Sequence, residues 1–156
     1  MRSRDRPKLF RILLPAKDLD LAGRFYESLL GIRARRVAEG RLYFRLGSAI
    51  LGVLDYSNLS AGALRPSSES VYLTVRDLEP IYRRAKQLRC LSKELLHGDP
   101  KSPLGRMVVR PWGERSFYVE DPSGNSLCFV EESTKFTGTP RQIAALSRAR
   151  SGRGRR

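Results

Sequence analysis

The residues of this chain that could do chemistry fall on alternate positions of strand-like segments, where side chains two apart share a face. They are Arg11, Tyr43, Arg45, Ser70, Tyr72, Tyr118, Glu120 and Cys128. Arg11 and Arg45 can clamp a carboxylate or phosphate, and the three tyrosines can stack on a planar group. Arg11 is expected to be the principal anchor of a ligand on this face. Glu120 is the one acid there, so a structural salt bridge between the two competes with that role. Arg11, Tyr72 and Glu120 are also the groups that polar catalysis without a metal would use. Cys128 has the chemistry of a nucleophile, but the sole histidine, His97, falls in a loop and cannot activate it. A packed, inert thiol is the expectation. Trp112, which follows Pro111, is expected to pack at the rim of any site. Taken alone, this mixture reads as the solvated side of an antiparallel sheet.

The elements that must carry these residues occur twice. In residues 11–32, Phe10, Ile12 and Leu14 alternate as in a half-buried strand. Asp18 can then cap a helix with a stripe at Ala22, Phe25, Tyr26 and Leu29, closed by Gly31. Residues 70–88 repeat the plan at an offset of 59, with Asp77 as cap and Leu78, Ile81, Tyr82, Ala85 and Leu88 as stripe. Pro80 lies in the first turn, where a missing N–H costs little. Strands are expected next at Arg33–Ala38, Arg41–Leu46 and Ala49–Tyr56, and in the second half at Cys90–Leu96, Ser116–Glu120 and Ser126–Val130. Asp121-Pro122-Ser123-Gly124 forms the turn between the last two. The pattern is βαβββ, twice, with 57–69 as linker and 97–105 as a loop. A second alternating set, from Leu42, Phe44, Leu51 and Val53 to Phe117, Val119, Leu127 and Phe129, should pack on the helices together with Phe10, Ile12, Leu14, Leu46, Val71, Leu73 and Val75.

Charge sits at the ends. The net charge is +14, yet residues 141–156 hold six arginines and no acid, and residues 1–8 add a net +3, which leaves +5 for 9–140. Arg-rich ends can bind nucleic acid through counterion release, but no aromatic residue interleaves with the tail arginines, as a strand-stacking segment would require. A disordered tail, dispensable for folding, is expected, with a weak helix possible over residues 140–149. No apolar run approaches the ~20 residues of a membrane span, and no secretory signal is evident, so the protein is expected to be cytoplasmic. Cys90 and Cys128 have no ligand spacing and read as reduced thiols.

Asp18-Leu19, Phe25-Tyr26 and Leu29-Leu30-Gly31, then Pro111-Trp112-Gly113-Glu114-Arg115, Phe117-Tyr118-Val119 and Asp121-Pro122-Ser123-Gly124-Asn125, resemble the vicinal-oxygen-chelate superfamily of glyoxalases, bleomycin-resistance proteins and extradiol dioxygenases. The resemblance covers about residues 9–132. It implies an α+β fold of two βαβββ modules, 9–56 and 70–132, whose mostly antiparallel sheets form a cup, with a basic arm at 1–8 and an Arg-rich tail at 133–156. It turns the polar face into a ligand site and implies a homodimer. Metal-using members draw ligands from the first and last strand of each module. Those places hold Arg11, Gly52, Ser70 and Cys128 here, and neither a one- nor a two-residue slip supplies a ligand set. No metal or other cofactor is therefore expected. The resemblance points first to a metal-independent binding protein, of the antibiotic-resistance type, with Arg11, Tyr43, Arg45, Ser70, Tyr72, Trp112, Tyr118, Glu120 and Cys128 at its site. The family's bleomycin binders are acidic, whereas this body is basic, so an anionic or neutral aromatic ligand suits it better. A glyoxalase- or dioxygenase-like enzyme with a divergent site, and a nucleic-acid-associated protein acting through its basic ends, are the alternatives.

Overall fold

Two aspartates start the paired helices. In the computed structural model, which describes residues 7–57, 66–67 and 69–153, Asp18 accepts the Leu21 N–H at 2.9 Å and Asp77 accepts the Glu79 N–H at 3.0 Å. Each satisfies an N–H that helix geometry leaves without a partner. Helix α1 (Leu19–Leu30) then ends at Gly31, whose φ of 69° is cheap only for glycine. Helix α2 (Leu78–Gln87) takes Pro80 in its first turn. Residues 1–6 of the expected arm, most of the 57–69 linker and the last three residues of the tail lie outside the described residues.

Around these helices lie β1 (Arg11–Ala16), β2 (Arg35–Ala38), β3 (Arg41–Leu46) and β4 (Ala49–Asp55), then β5 (Val71–Val75), β6 (Val108–Val109), β7 (Arg115–Glu120) and β8 (Ser126–Glu131). They form two four-stranded mixed sheets, ordered β1-β4-β3-β2 and β5-β8-β7-β6. In each, the first strand joins the last in parallel and the other pairs are antiparallel. This is the duplicated βαβββ plan, and β1 and β5 are left as edges.

The second module departs from expectation in one place. Cys90–Leu96 is not a strand but holds two isolated bridges, Leu91 to Val119 and Leu95 to Pro103. Beyond Ser92 the edge of β7 is taken by Leu104, whose carbonyl accepts the Tyr118 N–H at 3.0 Å, and then by the two-residue β6. The chain can approach this closely because residue 105 is glycine: a Cβ there would stand 2.3 Å from the Ser92 carbonyl oxygen.

The alternating apolar set packs as its period requires. Leu14, Leu42, Phe44, Leu51, Val53, Phe117, Val119, Leu127 and Phe129 are buried in one core with Ala22, Phe25, Tyr26 and Leu29 of α1 and Leu78, Ile81 and Ala85 of α2. Tyr82 is partly buried, and Leu88, expected in the second stripe, is exposed where it caps the end of α2. Phe10, expected in that set, is instead 61% exposed, because it precedes β1 and lies beneath the Arg11 guanidinium. A third helix, α3 (Pro140–Arg153), is mostly exposed and brings Leu146 and Ala149 beside Pro111 and Trp112. Among the described residues no helix is long and apolar enough to cross a membrane.

The two modules are joined by a buried polar cluster. Asp121 accepts the Tyr26 hydroxyl at 2.7 Å, the Asn125 amide at 2.8 Å and the backbone N–H groups of Ser123 and Asn125. Asn125 also donates to Pro15 O at the end of β1, and Lys17 N donates to Ser123 Oγ. Burial, reinforced by the Asp121 carboxylate, pushes the Tyr26 phenol well above its ordinary range, so it stays a donor. Tyr26→Phe removes that donor from a buried carboxylate and is expected to cost about 1–3 kcal/mol, read as a lowered urea midpoint with an unchanged slope.

Candidate functional site

Because successive strand residues point to opposite sides, the face of each sheet turned away from the helices is fixed by register. On the first sheet, Leu13 pairs with Gly52 and Gly52 with Tyr43. A Cβ at Gly52 would lie 2.5 Å from Leu13 Cδ2 and 3.2 Å from Tyr43 Cε1. The Leu13 and Tyr43 side chains thus close over the glycine, and a Cβ would be accommodated only if the Leu13 tip swung aside. Arg11 donates to the Tyr43 hydroxyl at 2.7 Å, and its guanidinium lies 5.5 Å from the Tyr43 ring centroid. Arg41 reaches the same hydroxyl at 3.4 Å. Arg45 is exposed at the far end of the strand.

On the second sheet, Tyr72, Cys128 and Tyr118 lie side by side across β5, β8 and β7. The two hydroxyls are 3.0 Å apart and the rings meet edge to face at 83°. Tyr118, Cys128 and Val130 are buried under Leu104, while Tyr72 is 57% exposed. Ser70 shares a hydrogen bond of 2.7 Å with Ser126. Arg110, which sequence reasoning passed over, lies against the Tyr118 ring at 5.4 Å and is itself buried. A lone arginine between Val109 and Pro111 carries no sequence sign of burial.

The structure thus gathers the expected residues into two groups, Arg11 with Tyr43 and Tyr72 with Tyr118 and Cys128. Among the described residues no hydrogen bond or ring contact joins one group to the other. Glu120 is exposed at the end of β7 and forms no ion pair among the described residues, so the salt bridge with Arg11 that competed with ligand anchoring is not made. Trp112 is half-buried beside α3, its Nε1 donating to Glu114 at 2.6 Å. His97 is exposed in its loop.

The residues do not fit a divalent metal. Arg11 cannot lose its proton, the space at Gly52 is filled by Leu13 and Tyr43, and Cys128 is sealed in. Among the described residues no three His, Cys, Asp or Glu side chains converge. Cys128 is equally unsuited to attack a substrate. Burial outweighs the pull of Tyr118, Ser116 and Arg110 toward the thiolate and pushes it up to about 11.

A groove of about 550 Å³ opens elsewhere, between the free edges of β1 and β5. Ile12, Leu46, Leu51, Val71, Leu73 and Ile81 line it, with Arg45, Tyr72 and Arg84 among its polar residues.

The comparisons with known proteins agree with this geometry. The family model described as Glyoxalase/Bleomycin resistance protein/Dioxygenase superfamily matches residues 8–129. Among solved structures, a bleomycin resistance determinant encoded on the transposon Tn5 is 25% identical over 80% of this chain and 98% of its own, with a TM-score of 0.58. A bleomycin-binding protein complexed with bleomycin is 22% identical over 81% of this chain and 99% of its own, with a TM-score of 0.56. Lactoylglutathione lyase from Agrobacterium tumefaciens is 19% identical over 82% of this chain and 96% of its own, with a TM-score of 0.54. A search of curated proteins finds no match.

Burial also holds the Cys90 thiol up at about 11, against 9.0 for a free thiol. In the unfolded chain both thiols ionise first, so their contribution is intact below about pH 9 and is lost as pH rises through about 11. The melting temperature should therefore fall across that window, and native protein should resist iodoacetamide near neutral pH. Rapid labelling of both cysteines without unfolding would contradict their burial.

Proposed function

We propose that this chain, which belongs to the glyoxalase/bleomycin resistance protein/dioxygenase superfamily, is a metal-independent small-molecule-binding protein that works as a homodimer. The observation that carries the first part is the fate of the four ligand positions. Arg11 is engaged by Tyr43, Gly52 is closed over, Ser70 is paired with Ser126 and Cys128 is buried. What the two faces offer instead is arginine and tyrosine, the groups that hold a planar, anionic or neutral aromatic compound. Arg11 is the anchor on the first sheet, with Tyr43 beneath its guanidinium. A lyase or dioxygenase reaction is the competing reading.

The dimer is supported by what one chain leaves open. Among the described residues no hydrogen bond or ring contact joins the two polar faces, and β1 and β5 each present an unpaired edge beside an apolar groove. Unpaired edges flanked by exposed apolar side chains call for a partner; Leu9, Phe10 and Leu13 are such side chains. A second copy related by two-fold symmetry can set its β5 beside this β1 and vice versa, so each contact is made twice. That pairing places the Arg11–Tyr43 face of one protomer next to the Tyr72–Tyr118 face of its partner, so that two cups, each built from both chains, form at once. The bleomycin-binding relative supports the expectation that the fold can hold a small molecule.

Two outcomes follow. Protein purified without chelator should contain no stoichiometric divalent metal, and planar anionic or neutral aromatic compounds should raise its melting temperature in proportion to occupancy. About one zinc, nickel, manganese or iron per chain by elemental analysis would return the enzyme reading to the front. Sedimentation at micromolar concentration should give twice the mass of one chain; a monomer at that concentration would show that each face works alone.

A further inference from the structure

Arg110 is the arginine that the described residues bury most deeply, at 3% exposure, and no carboxylate lies within ion-pair distance of it among them. Taking a guanidinium out of water is costly unless its donors and its charge are answered. The donors are answered in part. Nε donates to Ser116 Oγ at 3.2 Å, and Nη2 donates to the carbonyls of Leu104, Arg106 and Ser116 at 2.8, 3.0 and 3.3 Å. These bonds clip the loop before β6 onto β7. All of the acceptors are neutral, so the charge itself is not answered.

The remaining nitrogen, Nη1, has no hydrogen-bond partner among the described residues, and no fully buried polar side-chain atom there lacks one. Nη1 is therefore open to solvent or to a ligand. The guanidinium carbon lies over the Tyr118 ring, and the Tyr118 hydroxyl meets that of the exposed Tyr72 at 3.0 Å. Two hydroxyls share one bond and use one hydrogen; with Tyr118 as the donor, the hydrogen of the exposed Tyr72 is left for an outside acceptor. Burial pushes the Tyr118 phenol far above its ordinary range, so it stays a neutral donor beside the cation. A buried positive charge, an N–H pair without a partner among the described residues and the Tyr72 hydroxyl thus lie along one run of contacts that Tyr72 opens to solvent.

We propose that Arg110, Tyr118 and Tyr72 form an oxyanion subsite on the second sheet, which takes the carboxylate or phosphate of an aromatic small molecule whose ring rests against Tyr72. This rests on the reading of the protein as a small-molecule binder and assigns the second module its share of the ligand: an anionic group, held apart from the one that Arg11 can hold.

The test uses benzoate and phenyl phosphate, with benzamidine as the cationic compound of like shape and phenol as the neutral one. Side-chain Nε–H resonances of the arginines are followed in the full chain, Arg110 being assigned by its loss in Arg110→Lys. The Arg110 signal and the Tyr72 ring resonances, the latter assigned by their change in Tyr72→Phe, should move together and saturably with benzoate or phenyl phosphate, and not with benzamidine; which anion binds more tightly tells carboxylate from phosphate. Tyr72→Phe should weaken the anion about three- to tenfold, the loss of one hydrogen bond, with the melting temperature little changed. Arg110→Gln should abolish the saturable shift of Tyr72, and should this variant fail to fold, the wild-type titration and Tyr72→Phe still decide. Movement of the Arg11 signal alone would overturn the subsite by placing the anion on the first sheet. Silence of Arg110 toward both anions would overturn it and leave Arg110 a loop clip. If phenol still raised the melting temperature in that case, the binding-protein reading would stand without this subsite.

Discussion

The Asp121 carboxylate holds the molecule in its shape. It is buried and meets no cation among the described residues, which would be prohibitive but for four donors, from the Tyr26 hydroxyl, the Asn125 amide and two backbone N–H groups. Asn125 extends the cluster to Pro15 O and accepts the Ser67 N–H. One carboxylate and one amide thus tie together the β7–β8 turn, helix α1, the end of β1 and the segment that leads into β5. Their bonds fix how the two modules sit, with both helices sharing one core. The free edges of β1 and β5, the groove between them and the outward aspect of both polar faces all follow from that arrangement.

Within it the two modules have diverged. The first keeps its polar face open but fills the middle of it, since Leu13 and Tyr43 lie over Gly52. The second covers part of its face with its own chain, Leu104 packing on Tyr118, Cys128 and Val130. A duplicated fold usually invites the assumption of two equal half-sites. Here one half offers a half-buried arginine held by a phenol, and the other a deeply buried arginine held by carbonyls. The two guanidiniums differ accordingly. Arg11 is held through one phenol, whereas Arg110 is held by four hydrogen bonds to its own chain, and a group fixed in advance lowers the ordering cost of any binding.

Much of the fold could be read from residues whose roles are local. Asp18 and Asp77 cap the helices they precede, Gly31 ends the first, and period-two alternation sorted most core residues from those facing outward. The reading went astray where long-range contacts override local signals. Cys90–Leu96 has the composition of a strand, but the edge of β7 is shared out among three segments, and β6 is too short to show a period. Phe10 obeys the alternation and is exposed all the same, because the strand begins one residue later. The candidate residues were legible as types on the outward faces, and Arg11 with Tyr43 and Tyr72 with Tyr118 do pair up. That these form two separate groups was not legible, since alternation assigns a side chain to a face and says nothing of how two sheets are turned. Arg110 was invisible for a further reason: its burial is created by carbonyls of residues 104, 106 and 116, which no sequence pattern reports.

The Asp121 cluster has a consequence for the order in which the chain takes shape. Every strand pairing lies within one module, so the entropy of closing each sheet is that of a loop of modest length. The Tyr26–Asp121 bond closes a separation of 95 residues and so draws on a much longer stretch of disordered chain. During synthesis, the first sheet and α1 are complete while Asp121 has yet to be made. Tyr26, fully buried in the finished protein, must wait through that interval without its acceptor. The emerging first module can already pack Tyr26 on Phe44 of its own sheet, but the Tyr26 hydroxyl and the side of α1 that meets α2 stay uncovered until the later half arrives.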